Sequence, residues 1–467
     1  MTLATEDLSA AEIAAAVKSG KTSAREVVQA ALSRIEAHNG ALGAFTDVTA
    51  TRALAKADAI DAAGAKGEAL GPLAGAPFAV KNLFDIAGLP TRAGSKINRD
   101  LPPAAADATL TQRLQAAGAI LVGALNMGEY AYDFTGENIH DGPSRNPHDT
   151  RYMSGGSSGG SGTAVAGGLV PLALGSDTNG SIRVPSSLCG IFGLKPTYGR
   201  LSRARSFPFV ASLDHLGPMA RSVADLALAY DAMLGADADD PAQADVAPHP
   251  VTPSLDEGIG RLRIATLGGY FAATGEPAAF EAVARIAKAL GVERTVELPE
   301  AERARAAAYL ITMAEGAALH LDRLRARATD FDPDVRDRLI AGAMLPGAWI
   351  VKAQKFRSWF RAQAAALFKD VDVLLAPATP CRAPRLGQKT MVLGEREMLV
   401  RPNLGLFTQP ISFIGLPVAS VPVWTGGERL PIGVQIIAAP WREDLALRVA
   451  RALEARGIVS APIAKAA

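Results

Sequence analysis

Two segments rich in glycine and serine constrain this chain more than any other feature. The first covers residues 155–161 and reads Gly-Gly-Ser-Ser-Gly-Gly-Ser, and the second covers residues 177–183. A single glycine run is weak evidence, because glycine serves turns, bulges and flexible linkers equally well. Here the two runs frame a compact apolar segment, residues 164–175. This arrangement is far more restrictive, and it indicates a fold that presents serine side chains for chemistry.

The second segment predicts a nucleophilic serine. To attack a carbonyl, a serine needs a base, hydrogen-bond donors for the oxyanion and a backbone that lets the substrate approach. In residues 178–181, consecutive N–H groups can converge only if the chain adopts dihedral angles that most side chains forbid, and glycine and asparagine tolerate these best. We therefore interpret Ser181 as the nucleophile. The candidate oxyanion hole consists of the N–H groups of Thr178, Asn179, Gly180 and Ser181. A tight turn with a surface serine fits these residues equally well.

Lys81 is the candidate base. None of the six histidines lies in a setting that marks it as a catalytic partner, and the nearest, His215, is interpreted as a buried structural side chain. Residues 75–81 form an apolar run that ends in this lysine, with no other charge back to Glu68, which predicts a buried strand. Burial would lower the lysine pKa from about 10.4 by the roughly three units that a base at neutral pH requires. A lysine that extends from the strand end into water fits the same run.

These residues resemble the amidase signature family, whose members hydrolyse carbon–nitrogen bonds with two serines and a lysine. The matching segments lie in the expected order over most of the chain, at residues 75–88, 155–161, 176–183, 190–200, 214–219, 415–417 and 431–435. The resemblance implies that Ser181 is the nucleophile and Lys81 the general base. It also implies a bridging serine, Ser157, that follows a cis peptide bond after Gly156. Asn179 departs from the glycine usual at its position in this family.

The implied mechanism begins with attack of Ser181 on an amide carbonyl, while the N–H groups of residues 178–181 hold the developing charge. Ser157 and Lys81 then protonate the departing amine, and water releases the acyl group by the same relay. No metal or organic cofactor is implied. Three neighbouring serines are interpreted as turn or supporting hydroxyls: Ser158, Ser161 and Ser176.

Composition agrees with such an enzyme. The 467 residues are 49% hydrophobic and 20% charged, enough for a sizeable core, and the net charge of +1 argues against nucleic acid or an anionic membrane as a partner. Two cysteines, Cys189 and Cys381, favour a reducing cytoplasm over a disulfide framework. Glu6 and Asp7 lie where an export signal would carry positive charge, so we expect no export signal in this segment. The apolar stretches at residues 116–127 and 164–175 are too short to span a bilayer and are predicted to be buried core segments.

The predicted fold class is α/β, and the family resemblance implies a large mixed central sheet covered by helices on both faces. Capping-box patterns at residues 9–12 and 23–26 predict two helix starts. We expect a single domain over residues 1–467. Within it, we expect a core at about 70–231, an exposed connection at about 235–255 and a helical segment at about 300–369 that covers the active site. Residues 262–267 and 373–380 are predicted to be strands.

The substrate is predicted from a finer resemblance. Residues 126–130, 176–181 and 408–413 are most similar to the 1-carboxybiuret hydrolase subgroup of the family. Its members deaminate a small anionic ureido compound and associate with a short helical accessory subunit. The resemblance therefore implies a small amide substrate, release of ammonia, and a homo- or hetero-oligomer. An anionic substrate calls for a guanidinium, and Arg183 is the nearest candidate by sequence, although a structural ion pair with Asp177 is an equal alternative.

Two other amidase functions stay open at this point. One is the glutaminase component of an aminoacyl-tRNA amidotransferase, and the other is a broad-specificity amidase for aryl or aliphatic amides. A catalytically inactive relative that only binds a ligand is disfavoured, because Lys81, Ser157 and Ser181 are all intact.

Overall fold

Helices and strands alternate along the chain, which the computed structural model describes over residues 7–425 and 427–464. The strands are β1 (Phe45–Val48), β2 (Pro77–Lys81), β3 (Ile120–Leu125), β4 (Leu172–Asp177), β5 (Phe192–Lys195), β6 (His215–Ala220), β7 (Ile264–Leu267), β8 (Thr295–Val296), β9 (Val373–Pro377), β10 (Thr390–Leu393), β11 (Arg396–Leu399), β12 (Val418–Val423) and β13 (Ile432–Ala438). The helices are α1 (Ala10–Lys18), α2 (Ala24–Leu42), α3 (Ala50–Ala65), α4 (Thr109–Ala116), α5 (Gly159–Ala166), α6 (Arg183–Cys189), α7 (Val223–Met233), α8 (Tyr270–Ala273), α9 (Pro277–Leu290), α10 (Ala301–Arg327), α11 (Pro333–Ala343), α12 (Gly347–Leu367), α13 (Val400–Asn403), α14 (Gln409–Phe413) and α15 (Glu443–Ala455). Short 3-10 turns lie at Ile97–Asp100, Glu129–Ala131, Thr252–Ser254 and Ala328–Asp330. Residues 1–6, which include Glu6 of the export-signal expectation, lie outside the described residues.

Eleven of the described strands form one mixed sheet in the order β1-β3-β2-β4-β6-β5-β12-β13-β9-β7-β8, and β10 pairs separately with β11. β2 runs parallel to β3 and β4, with Phe78 opposite Leu121 on one side and Leu172 on the other. The middle of the sheet, from β4 to β9, is antiparallel. Helices α5, α7, α9 and α15 pack on the sheet. The predicted α/β fold with a large mixed sheet is confirmed.

Strand β2 carries the lysine that the sequence singles out. All five of its residues are buried, because strands flank it on both sides and helices α2 and α5 pack on it. A strand covered in this way requires an apolar sequence. The predicted buried strand is therefore confirmed, and Lys81 lies at its carboxyl end.

Other local predictions are confirmed as well. Ser9 and Ser23 cap α1 and α2, each in a full capping box with the glutamate three residues on. The strands predicted at residues 262–267 and 373–380 are present as β7 and β9. The two apolar stretches are in the core, mainly as β3 and β4. Over residues 7–425 and 427–464, no helix is both long enough and apolar enough to cross a bilayer.

The segment at residues 300–369 is mostly helical, as predicted, and forms α10, α11 and α12. Helix α10 packs against both of the others. A close approach lies at Gly342 on α11, where an added β-carbon would lie 2.1 Å from the carbonyl oxygen of Met313 on α10. Only glycine allows this spacing, so the two helices are held together at a point that no larger side chain could occupy.

The main sheet takes its strands from both halves of the chain. Strands β1–β6 come from residues 45–220, and the remaining five come from residues 264–438. Between them, residues 235–255 contain no regular element apart from one 3-10 turn, and residues 245–250 are exposed. We propose that the chain is a single domain, because strands from the two halves form one continuous sheet, joined where β5 pairs with β12.

We predict that Gly342→Ala lowers the free energy of unfolding by about 1–3 kcal/mol, because the added methyl group forces α10 and α11 apart. The matched control is Gly347→Ala at the first position of α12, where an added β-carbon meets no atom within 4 Å. That variant should be neutral or up to about 1 kcal/mol more stable, because alanine favours the helix over glycine. Urea unfolding monitored by circular dichroism measures both variants. Equal stabilities would contradict the tight contact at Gly342.

Candidate active site

The amine of Lys81 lies within a cluster of three serine hydroxyls. Its Nζ atom is 2.6 Å from Oγ of Ser157, 3.1 Å from Oγ of Ser158 and 2.9 Å from Oγ of Ser176. The lysine side chain is fully buried. Strand β2 delivers the amine, the residues just before α5 deliver two of the serines, and Ser176 lies on the neighbouring strand β4. The alternative in which Lys81 extends into water is therefore wrong.

Burial lowers the pKa of Lys81 to about 7, because the ammonium loses its hydration. Three carboxylates, those of Asp214, Asp177 and Asp133, act in the opposite direction and raise the pKa. A lysine with a pKa near 7 is about half neutral at neutral pH, and its neutral amine carries a lone pair that accepts a proton. The geometry thus allows a proton to pass between Nζ and the hydroxyl of Ser157.

Hydrogen bonds hold the residues around Ser157 in place. The peptide bond between Gly156 and Ser157 is cis, as the family resemblance implies. The N–H of Gly156 donates to the carbonyl of Phe134 at 2.8 Å, and the N–H of Ser158 donates to the carbonyl of Ser181 at 3.4 Å. The last of these bonds joins the two glycine- and serine-rich segments directly.

The turn that carries Ser181 connects the end of β4 with the start of α6. Gly180 has a φ of 144°, which favours glycine, and the hydroxyl of Thr408 donates to the carbonyl of Asn179 at 2.7 Å. The backbone N–H groups of Asn179, Gly180 and Ser181 donate to no residue in the part of the chain that the structure describes. Three consecutive donors in a buried turn are therefore available to an anionic oxygen.

A small cavity of about 20 Å³ lies beside Ser181. It is bounded by the Ser181 turn, by the loop after β3, by helices α10 and α11, and by residues near α14. Its lining residues are Ala131, Tyr132, Asp133, Phe134, Thr178, Asn179, Ser181, Phe209, Tyr309, Thr312, Arg338, Pro402 and Gln409. Residues of α10 and α11 therefore border the cavity beside the candidate nucleophile.

A second cavity, of about 330 Å³, borders the lysine cluster at Ser176. Ser176, which accepts a hydrogen bond from Lys81, and Asp214 both line it. It shares Ala131, Thr178 and Phe209 with the cavity beside Ser181. The lysine cluster thus borders one cavity through Ser176, and the Ser181 turn borders its neighbour.

The amidase family model matches residues 26–447 of this chain. The chain belongs to the amidase signature family. It is 56% identical to AtzE, a 1-carboxybiuret hydrolase subunit of Pseudomonas sp. (strain ADP), over 96% of this chain and 98% of the relative. It is 38% identical to a glutamyl-tRNA(Gln) amidotransferase subunit of Moorella thermoacetica, over 96% of each chain. This protein is therefore an amidase, a hydrolase that acts on carbon–nitrogen bonds.

Solved structures agree with the sequence comparison. A structure described as a vestigial protein complex that reveals the origins of an s-triazine catabolic enzyme matches the amidase with a TM-score of 0.96 and 56% identity, over 97% of this chain and 99% of that one. A bacterial aryl acylamidase of the same family matches with a TM-score of 0.88 and 28% identity, over 96% of both chains. The fold is thus shared by family members of rather different sequence.

The structure brings the three predicted catalytic side chains into one region of the amidase, although by different contacts. Lys81 and Ser157 are joined by a direct hydrogen bond. Ser181 is tied to the cluster through its carbonyl, and it lines the small cavity. Sequence reasoning treated Ser158 and Ser176 as supporting hydroxyls and missed that both contact the lysine amine.

Arg183 is fully buried and lines neither cavity. Its Nε and Nη2 atoms each donate to a carboxylate oxygen of Asp177 at 2.9 Å, and Nη2 also donates to the hydroxyl of Ser412. Its Nη1 atom donates to the carbonyl of Thr408 at 3.1 Å and to the side chain of Gln435 at 2.6 Å. All five N–H donors are thus used within the protein. We infer that Arg183 is the structural partner of Asp177, which corrects its interpretation as a substrate ligand.

Sequence reasoning also missed a cation that does line the cavity beside Ser181. This is Arg338 on α11, which lies near Tyr309 of α10. Both residues lie on helices far along the chain from the glycine- and serine-rich segments. No local motif marks either residue.

We predict that Lys81 makes the stability of the amidase rise with pH. The pKa of Lys81 is about 7 in the folded protein, so between pH 7 and 10 the unfolded chain binds more protons than the folded one. Relative to Lys81→Met, the free energy of unfolding of the wild type should therefore rise by up to about 1.4 kcal/mol per pH unit in this range. Urea unfolding at several pH values measures this slope.

The matched control is Lys352→Met, which changes an exposed side chain on α12. It gives the baseline for replacing a lysine on the surface. Parallel stability curves for the wild type and Lys81→Met would mean that Lys81 stays charged in the folded amidase.

Proposed function

We propose that this amidase hydrolyses a carbon–nitrogen bond in a small carboxylated ureido compound of the carboxybiuret type and releases ammonia. The single observation that carries the chemistry is the buried Lys81 amine at 2.6 Å from the hydroxyl of Ser157, next to a turn whose N–H groups at residues 179–181 donate to none of the described residues. The 56% identity to a 1-carboxybiuret hydrolase subunit supports the substrate class.

In the proposed mechanism, Ser181 attacks the amide carbonyl and gives its proton through Ser157 to the neutral amine of Lys81. The tetrahedral oxyanion accepts hydrogen bonds from the backbone N–H groups of residues 178–181. The C–N bond then breaks, and the proton returns from Lys81 through Ser157 to the departing nitrogen. This leaves an acyl ester on Ser181. Water, deprotonated by the same relay, hydrolyses that ester and restores the serine.

Arg338 is the group that we propose to bind the carboxylate of the substrate. Its Nε donates to the carbonyl of Asp334 at 2.7 Å, and its Nη2 donates to the carbonyl of Tyr132 at 2.5 Å. Its guanidinium lies 3.8 Å from the centre of the Tyr132 ring. The Nη1 atom donates to no residue in the described ranges, so it is available to an anion in the cavity beside Ser181.

A partner chain also belongs to the proposal. We propose a short helical accessory subunit, for which support comes from the structural relative that is described as a protein complex. Large apolar side chains are exposed where α11 meets α12, among them Met344 and Trp349.

Both described cysteines are buried free thiols, which is compatible with the proposed cytoplasmic location.

We predict that the wild type releases ammonia from a carboxybiuret-type compound faster than from glutamine or a simple aryl amide. Ser181→Ala, Ser157→Ala and Lys81→Met should each lower kcat by at least about 10³-fold, because the three groups act as one relay. An ammonia assay on the purified chain, alone and with its partner, measures this. The matched control is Ser161→Ala, whose hydroxyl donates to the carbonyl of Leu174 and should leave kcat nearly unchanged. Reaction with glutamine alone, and only in the presence of partners, would instead establish the amidotransferase function.

We predict that Arg338→Met raises KM for a carboxylated substrate by about 10- to 100-fold, because one charge-assisted hydrogen bond is lost. Its kcat/KM for an uncharged aryl amide should stay the same. Arg336→Met on the same helix is the control, since Arg336 pairs with Asp337 and does not line the cavity. Equal losses for charged and uncharged substrates would show that Arg338 acts on the fold of the site rather than on the carboxylate.

A further inference from the structure

Three buried carboxylates act on Lys81, and two of them have a close arginine partner. The carboxylate of Asp177 lies 2.9 Å from the guanidinium of Arg183. The carboxylate of Asp133 lies 3.4 Å from that of Arg401. A guanidinium at short range therefore offsets each of these two negative charges, which weakens their effect on Lys81.

The third carboxylate, Asp214, differs from the other two. It is buried, and in the part of the chain that the structure covers no side-chain nitrogen of an arginine, lysine or histidine lies within 4.0 Å of its carboxylate oxygens. Burial raises the pKa of Asp214, and the hydrogen bond from Thr178 lowers it. Arg203 also lowers this pKa, but Arg203 is itself paired with Asp240 at 3.3 Å. Asp214 is thus the carboxylate whose charge acts on Lys81 without a short-range counter-ion.

Asp214 also connects two parts of the site. Its Oδ1 accepts a hydrogen bond from the hydroxyl of Thr178 at 2.6 Å. Its Oδ2 accepts from the N–H of Phe209 at 2.8 Å and from the N–H of Val210 at 3.0 Å. Thr178 is the first residue of the Ser181 turn, and Phe209 lines both cavities. The Asp214 carboxylate therefore links the start of the Ser181 turn to Phe209, which borders both cavities.

The position of Asp214 in the fold explains this double contact. It lies immediately before β6, whose first residue, His215, pairs with Asp177 at the end of β4. The end of β4 leads directly into the Ser181 turn, and Ser176 of the same strand accepts a hydrogen bond from Lys81. Ser176, Thr178 and Asp214 all border the larger cavity. The antiparallel pairing of β4 with β6 thus places Asp214 beside the end of β4, which carries Ser176 and leads to Thr178.

We propose that Asp214 is a positioning residue for amide hydrolysis. Its hydrogen bond anchors Thr178 in the Ser181 turn, and its negative charge sets the pH at which Lys81 becomes a base. This inference rests on the proposed function. A negative charge favours the ammonium form, so it opposes the effect of burial and keeps the amine basic enough to carry the proton of Ser181. Replacing Asp214 by a neutral residue should move the titration of Lys81 to lower pH.

The test uses the rate at which a serine-directed sulfonyl fluoride inactivates the full chain, measured from pH 5 to 9. This rate reports deprotonation of Ser181 and does not depend on the natural substrate. For the wild type, we expect the rate to rise with pH and level off, with a midpoint near 7. For Asp214→Asn, we expect a midpoint about one pH unit lower and a lower plateau, because the charge and the anchor of Thr178 are both lost.

Thr178 separates the two effects of Asp214. Thr178→Val removes the anchor but keeps the charge, so its plateau should fall while its midpoint stays at the wild-type pH. Thr178→Ser keeps the hydroxyl and should restore the plateau. Asp239→Asn is the control, since this carboxylate lines the larger cavity, is exposed and pairs with Arg205. It should change neither quantity.

The outcomes distinguish this inference from the proposed function. If Lys81→Met reacts as fast as the wild type at every pH, Lys81 is not the base and the proposed function fails. If Lys81→Met is unreactive but Asp214→Asn keeps the wild-type midpoint, only the inference about Asp214 is overturned. Urea unfolding checks that each variant is folded. Should Asp214→Asn not fold, Thr178→Val decides, because a wild-type plateau for that variant also overturns the inference.

Discussion

The site depends on an amine that is held away from water among hydroxyl groups. Burying an ammonium without compensation is strongly unfavourable, so the protein can keep Lys81 inside only by weakening its charge or by matching it. The structure does both in part. Strand β2 is covered on both sides and removes the amine from water, while three serine hydroxyls and three carboxylates surround it. A pKa near 7 is the balance between these opposing effects.

Much of the fold around this amine could be predicted from the sequence, because the determinants are local. An apolar run that ends in Lys81 predicts a strand buried on both faces, and serine followed by glutamate three residues later predicts the starts of α1 and α2. The order of the strands could not be derived in this way. The pairing of β5 with β12 joins residues more than two hundred positions apart, and such pairing depends on packing of the whole sheet.

The residues of the candidate site also fall into those that a local segment predicts and those that only the fold brings together. Ser157 and Ser181 lie in short segments whose glycine content already indicates unusual backbone geometry, and Lys81 ends a short apolar run. Arg183 lies in one of these segments too, yet its role was ambiguous, because a sequence does not show how many donors of a guanidinium are already used. Arg338 lies on an ordinary helix, and only the packing of α11 brings it to the cavity beside Ser181.

This division also explains how one fold serves different amides. The relatives include an aryl acylamidase together with subunits of a carboxybiuret hydrolase and of an amidotransferase, and the fold is retained where identity is as low as 28%. Every such substrate presents the same reacting carbonyl, so the groups around Lys81 and Ser181 can stay the same. What differs is the remainder of the substrate, which must contact the opposite wall of the cavity. In this amidase, residues of α10 and α11 contribute to that wall, and the two helices approach each other closely at Gly342. We therefore expect that substitutions on these helices can change selectivity without disturbing the proposed proton relay.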